Sequence, residues 1–317
     1  MTKRWPIVVA LVLLAALPLA GSALRGFSED FFSFPPLVTT QPVHAPFHMG
    51  IWLVFAALGL FTVLLLLRPR WFGFSPDNSS GPPRPYAPNE SSPPNFSASS
   101  LPPSSLPPLP LHGWLGLLLL TVSWFLAWSR IDLPGPVEQH TFFPLWLGFI
   151  LFLDGLVYRR SGTSLATTSR SRFILMFPLS ALSWWYFEFL NRSVQNWWYP
   201  DRMDFGPVHY LVYSSLCFST VLPAIFEIRD LLATFPTLRH RFSNGPRWHM
   251  PHAAPLVAFL GVVLLPLIPL FPDPLFFVTW VAPLALLAGA LGLARVPSPF
   301  DPVRRGDWSP LQIGRAS

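Results

Sequence analysis

Residues 50–67, GIWLVFAALGLFTVLLLL, decide the fold class because eighteen residues follow one another without a charged side chain. The hydrocarbon core of a bilayer is about 30 Å thick, and an α-helix needs roughly 17–25 mostly apolar residues to cross it. A surface helix of a soluble protein would show polar residues along one face, whereas the only polar side chain in this stretch is that of Thr62. It therefore predicts a transmembrane helix.

The composition of the whole chain indicates the same class. Of its 317 residues, 51% are hydrophobic and only 11% are charged, whereas a soluble domain has about 25% charged residues. The formal charge of +6 does not indicate nucleic-acid binding, because the basic residues lie in short loops between apolar runs. The single cysteine, Cys217, excludes an intramolecular disulfide and a cluster of thiolate metal ligands.

Apolar runs of similar length recur along the chain. We expect an all-α, polytopic transmembrane helical bundle of about eight spans, at residues 6–24, 50–67, 112–131, 142–158, 173–190, 208–226, 255–271 and 274–294. The first span is either a retained helix, which we favour, or a signal peptide that begins at Lys3 and Arg4. Pro266 and Pro269 in the seventh span predict a kink rather than a break.

The basic residues predict the orientation of these spans. If residue 1 lies in the cytoplasm and eight spans alternate, 17 of the 21 Lys and Arg residues fall on the cytoplasmic side. Only Arg25, Arg130, Arg192 and Arg202 fall on the other side. This asymmetry follows the positive-inside rule and predicts a protein of the cell inner membrane with both termini in the cytoplasm.

The spans are interrupted by one long polar segment. Residues 71–111 are rich in Pro and Ser and cannot bury enough apolar surface to fold, so we expect a disordered cytoplasmic linker. A plain tether is favoured over a docking site for an SH3-like domain. The linker divides a two-span unit at residues 1–70 from a six-span unit at 112–296, which a polar tail at 297–317 follows.

A polar face on the fifth span marks a candidate site at the outer side. Ser180, Trp184, Glu188 and Asn191 recur at intervals of four, four and three residues, so they share one helix face, which we expect to face protein rather than lipid. His140 and His209 are available as partners at this side, and Asn196 and Tyr199 lie in the short loop beyond the span. The ordinary alternative is an aromatic belt at the membrane interface, with Glu188 paired to Arg192 as an anchor.

A second polar zone is predicted at the cytoplasmic ends of the spans. Asp154 and Glu227 are its acidic candidates, accompanied by Arg159, Arg160, Arg229 and Asp230. At a rise of 1.5 Å per residue, Asp154 and Glu188 differ in depth by about 16 Å, so they cannot form one pair of carboxylates. The ordinary interpretation is a set of ion pairs at the membrane interface.

The segment from His140 to Tyr199 contains the motifs Phe143-Pro-Leu-Trp, Asp154-Gly, Tyr158-Arg-Arg, Gly162-Thr-Ser, Trp185, Phe187-Glu, Asn191, Asn196-Trp and Tyr199. With these motifs, residues 112–310 resemble a family of uncharacterised bacterial multi-pass membrane proteins. The resemblance implies a membrane protein and no particular activity. A fainter resemblance links Trp197-Trp-Tyr and Pro223-Ala-Ile-Phe-Glu to lycopene-cyclase-type carotenoid enzymes, which implies a membrane-embedded enzyme.

Two functional hypotheses follow. The first is an integral membrane protein with a polar ligand or ion site around Glu188 at its outer side. The alternative is an enzyme that acts on a lipid or isoprenoid substrate, with Glu188 or Asp154 as the acid or base. We expect lipid as a partner together with a small polar or lipid ligand, no nucleic acid, no cofactor and no metal. The oligomeric state is left open.

Overall fold

The structure is a computed structural model that describes residues 4–28, 30–36, 49–74, 107–129, 131, 135–199, 205–235, 242, 244–247, 252–296, 301–304 and 306–308. Every regular element in these ranges is a helix, which confirms the all-α class. In chain order they are α1 (Trp5–Arg25), α2 (Met49–Leu67), a 3₁₀ turn (Pro69–Phe72), α3 (Leu111–Trp128), α4 (Gly135–Gln139), α5 (Phe142–Ser161), α6 (Leu165–Thr168), α7 (Arg170–Val194), α8 (Pro207–Phe218), α9 (Val221–Ala233), α10 (Ala253–Leu270), α11 (Pro272–Leu275), α12 (Val278–Leu293) and α13 (Asp301–Arg304).

Seven helical segments of the described chain are long and apolar enough to cross a bilayer. They are α1, α2, α3, α5, α7, the α8–α9 pair and α10, so the chain is an integral membrane protein with several spans. The eighth predicted span differs, because a turn at Phe276 and Phe277 divides it into α11 and α12. The 16 residues of α12 extend over about 24 Å, less than the thickness of the hydrocarbon core.

Two pairs of glycines bring α3 and α5 into close contact. Gly113 and Gly116 of α3 face Gly155 and Gly148 of α5. A Cβ on Gly116 would lie 2.5 Å from the backbone nitrogen of Phe152, so the helix backbones approach too closely for any larger residue. Small residues serve this purpose in membranes, where dispersion contacts rather than water exclusion hold helices together.

A second packed layer joins the beginning of the chain to its end. Side chains of α1, α10 and α12 form one apolar cluster, with Ala10, Leu14, Leu265, Ile268 and Leu286 among its members. Pro266 and Pro269 lie inside α10, which is helical from Ala253 to Leu270, so the prolines do not break the seventh span, and the predicted kink stays a prediction. The division into units at 1–70 and 112–296 stays a prediction.

The sixth predicted span consists of two helices, because a turn at Ser219 and Thr220 separates α8 from α9. The Ser180 hydroxyl of α7 lies at this turn. It donates to the carbonyl of Phe218 (2.6 Å) and accepts the backbone N–H of Leu222 (3.0 Å). These two backbone groups would bond each other in a continuous helix, so Ser180 satisfies the groups that the turn leaves without helical partners.

We use two names for the ends of the bundle, after the sides that the sequence predicts. The outer end is where α1 ends at Arg25 and α7 ends at Val194, and the inner end is where α5 ends at Ser161. Most of the predicted linker and of the C-terminal tail lies outside the described residues.

Candidate functional site

The carboxylate of Glu188 lies near the outer end of α7 and is 6% exposed. Its Oε1 atom accepts hydrogen bonds from Trp197 Nε1 (2.8 Å) and from the Tyr199 hydroxyl (2.7 Å). Both donors belong to the segment that follows α7. Glu188 therefore ties this segment back onto its own helix.

Asn191 fixes the same segment through the backbone. Its Oδ1 atom accepts the N–H of Asn196 (2.9 Å), and its Nδ2 atom donates to the carbonyl of Trp197 (2.7 Å). The reversal begins at Gln195, whose φ of +51° lies in the left-handed region that often ends a helix. The structure thus brings together three predicted site residues, Glu188, Asn191 and Asn196, around one turn of chain.

Aromatic rings cover the Glu188 carboxylate. Trp197 stacks on Trp280 of α12 with ring centroids 5.1 Å apart, and Phe187 lies 4.8 Å from the same indole. Burial and the negative Glu188 carboxylate raise the pKa of the Tyr199 hydroxyl above its ordinary value. These contacts fit an anchor at the membrane interface, with Trp197 and Tyr199 as the donors that the sequence did not assign to Glu188.

The two outer histidines form a separate pair. His140 Nε2 lies 2.8 Å from His209 Nε2, and His140 Nδ1 lies 2.6 Å from the carbonyl of Pro136. A carbonyl only accepts, so Nδ1 of His140 carries the hydrogen, and its Nε2 accepts from His209 when both rings are neutral. The histidines were predicted as partners of Glu188, but they bond each other while Glu188 bonds Trp197 and Tyr199.

A cavity of about 250 Å³ opens at the outer end of the bundle. It lies between the ends of α1, α7 and α10, and its charged lining residues are Arg25 and Arg192. Ser22, Ser193 and Gln195 add polar groups, and none of the described residues that line it is acidic. We call this space the outer cavity.

Backbone carbonyls hold both arginines of the outer cavity in place. Arg25 Nη1 donates to the carbonyl of Pro269 (3.2 Å), and Arg192 Nη1 donates to those of Phe31 (2.6 Å) and Ser33 (2.9 Å). A guanidinium has five N–H donors in a rigid fork. In these bonds both guanidinium groups are positioned by neutral acceptors.

At the inner end, Asp154 of α5 is fully buried and surrounded by donors. It accepts hydrogen bonds from the Ser164 hydroxyl (2.7 Å) and the backbone N–H of Ala166 (2.9 Å), and His112 Nε2 lies 2.8 Å from its Oδ1 atom. Asp154 therefore ties α3 and the α5–α7 connection to α5. The predicted arrangement of interfacial ion pairs does not describe Asp154, which is 0% exposed.

Glu227 of α9 is also 0% exposed, and neither of its carboxyl oxygens has a hydrogen-bond partner among the described residues. The helix that carries Asp154, α5, packs on α9, and Asp154 is the charged group that acts most strongly on Glu227. The other members of the zone behave as ordinary interfacial groups. Arg229 pairs with Asp230 at 2.6 Å, and Arg160 donates to Thr234 at 2.7 Å.

Comparisons with protein-family models, with curated proteins and with solved structures find no match to this chain. The resemblance to the uncharacterised bacterial family and the fainter one to carotenoid cyclases therefore stay predictions. Functional inference rests on the site residues themselves.

Two residues of these sites, His112 and Arg25, were not predicted as site residues from the sequence. His112 begins the third span beside the linker, where a polar residue carries no distinctive signal. Arg25 was assigned to the outer side, but only the packing of α1 against α10 brings it to Arg192.

Proposed function

We propose that this integral membrane protein binds a small anionic ligand in the outer cavity. The negative charge of this ligand is that of a phosphate or carboxylate group. The observation that carries the proposal is the presence of two guanidinium groups, Arg25 and Arg192, in a cavity whose described lining contains no acidic side chain. This refines the outer polar site expected around Glu188, since Arg192 lies one helical turn beyond Glu188 on α7.

The chemistry of the lining favours an anion over a cation. Arginine matches the planar oxygens of carboxylates and phosphates and binds them in pairs of parallel hydrogen bonds. The hydroxyls of Ser22 and Ser193, which bond each other at 2.9 Å, can turn to donate to a ligand oxygen. A cation would meet two positive charges here.

The size of the cavity favours a small group. Drug-sized ligands occupy pockets of about 300–1,000 Å³, and the outer cavity measures about 250 Å³. A free phosphate or carboxylate fits this volume, and so does the headgroup of an anionic lipid whose chains stay in the bilayer.

The alternative of an enzyme acting on a lipid or isoprenoid needs an acid or base beside the bound substrate. The lining of the outer cavity includes neither Glu188 nor Asp154. Their hydrogen bonds go to protein groups instead. Binding is therefore the function that this geometry supports best.

The test compares the wild type with Arg25→Gln and with the control Arg4→Gln. Arg4 precedes the same helix at its other end and is exposed. Loss of a charge-assisted hydrogen bond costs about 1.5–3 kcal/mol, so we expect Arg25→Gln to weaken anion binding by roughly 10-fold or more and Arg4→Gln to leave it unchanged.

Two measurements identify the source of the anion. Calorimetry with inorganic phosphate on detergent-solubilised protein tests a free ligand, and native mass spectrometry after exchange into anionic or zwitterionic lipid tests a headgroup. Wild-type protein that binds neither anion, or an Arg25→Gln variant that binds like the wild type, would disprove the proposal.

A further inference from the structure

The strongest unused feature of the molecule is the carboxyl group of Glu227. It is fully buried, and both of its oxygens lack a hydrogen-bond partner among the described residues. An isolated ionised carboxylate is very costly to bury, and a group in that position takes up a proton instead. Nothing in the packing of α9 requires a glutamate here, because an apolar residue would fill the same space without this cost.

The neighbourhood of Glu227 contains an acceptor for such a proton. Asp154 accepts hydrogen bonds from the Ser164 hydroxyl and the backbone N–H of Ala166, an arrangement that suits a carboxylate, which only accepts. The other charged groups that act on Glu227 are Asp230 and Arg229 on its own helix, and these neutralise each other as an ion pair. The α7 helix also packs on α9, and its charged residues lie towards its two ends, at Arg170, Arg172, Glu188 and Arg192.

We propose that Glu227 and Asp154 form a proton-binding site, in which Glu227 holds an exchangeable proton that reaches the inner end through Asp154 and His112. His112 supports this route because its Nε2 atom lies 2.8 Å from Asp154 Oδ1 and its side chain is 29% exposed. The ligand of this site is the proton itself.

The transfer has three steps, each of which is balanced. In the first, the two carboxyl groups come into hydrogen-bond contact, the O–H bond of Glu227 breaks and an O–H bond forms on Asp154, so the negative charge moves from Asp154 to Glu227. In the second, Asp154 gives the proton to Nε2 of His112 in the tautomer that carries hydrogen on Nδ1. The imidazolium then releases its Nδ1 proton to water at the inner end, and the reverse steps reload Glu227.

Infrared spectroscopy of the full-length protein in lipid nanodiscs tests the site. We expect a carbonyl band of a protonated carboxyl group that is absent in Glu227→Gln and present in the control Glu138→Gln, which removes an exposed carboxyl of α4. Wild-type protein prepared with ¹³C-labelled glutamate assigns the band to a glutamate, because the label shifts a glutamate band and leaves an aspartate band in place, and Glu227→Gln then separates Glu227 from the other buried glutamate, Glu188.

The route is tested by transfer from H₂O to D₂O. Positioned proton acceptors typically contribute 10²–10⁴-fold to proton transfer, so we expect His112→Gln to slow deuterium exchange of the Glu227 band by roughly 100-fold. Absence of a protonated carboxyl band, or a band that the glutamate label does not shift, would overturn the site. A His112→Gln variant that exchanges as fast as the wild type would overturn the route.

Discussion

Ser180 offers a quantitative test of how the α8–α9 break is stabilised. Its hydroxyl is inserted between the carbonyl of Phe218 and the N–H of Leu222, and it makes one hydrogen bond to each. Double-mutant cycles give side-chain hydrogen bonds in membrane proteins an average of about 0.6 kcal/mol and a maximum of about 1.7. Ser180→Ala removes two such bonds, so we expect the free energy of unfolding to fall by about 1–3 kcal/mol.

Ser183→Ala is the matched control for this prediction. Ser183 lies on the exposed face of the same helix, and its hydroxyl donates to the carbonyl of Leu179, one turn earlier in that helix. Unfolding in mixed detergent and SDS micelles, followed by tryptophan fluorescence, measures both variants. If Ser180→Ala is as stable as Ser183→Ala, Phe218 and Leu222 bond each other directly in the variant, and the break does not depend on Ser180.

Three further predictions concern single contacts. Gly116→Ala places a Cβ 2.5 Å from the Phe152 nitrogen, so the free energy of unfolding, measured by heat or SDS, should fall by about 1–3 kcal/mol. In the control Gly59→Ala the new Cβ meets no atom within 4 Å, and stability should be unchanged. Glu188→Ala leaves two donors unpaired, so the free energy that protects residues 195–199 from hydrogen exchange should fall by about 1–3 kcal/mol. Glu188→Gln keeps an acceptor oxygen and should preserve this protection. Equal exchange in both variants would refute the anchor. The pKa of Tyr199 is raised in the folded protein, so on raising the pH the unfolded chain loses the hydroxyl proton first. The contribution of the neutral Tyr199 side chain to stability is therefore complete below about pH 10 and is lost as the pH rises through the pKa of the folded state. Tyr199→Phe should therefore lose less stability than the wild type when pH is raised above about 10, as measured by chemical unfolding.

The spans were predictable from the sequence because length and apolarity alone determine them. Breaks within spans were less predictable. The α8–α9 turn depends on a hydroxyl from α7, and the division of α11 from α12 depends on a local turn at Phe276. Neither feature changes the apolar pattern of its own segment.

The candidate sites show the same limit. Spacing correctly grouped Ser180, Glu188 and Asn191 on one face of α7, since helical geometry is local. The partners of these residues come from other parts of the chain. His140 and His209 lie at the correct end of the bundle but pair with each other. Arg25 and Arg192 line one cavity because α1 docks on α10 and bonds α7 through Ser22 and Ser193.

The orientation of the bundle is tested most directly by cysteine labelling, and the chain suits this method because Cys217 is its single cysteine. In a Cys217→Ala background, Asn196→Cys marks the outer end and Ser171→Cys marks the inner end, and both positions are exposed. A membrane-impermeant maleimide applied to intact spheroplasts should label the cysteine at position 196 and should reach position 171 only after lysis. Labelling of both positions before lysis, or of position 171 alone, would contradict a membrane bundle with Arg25 and Arg192 at its outer end.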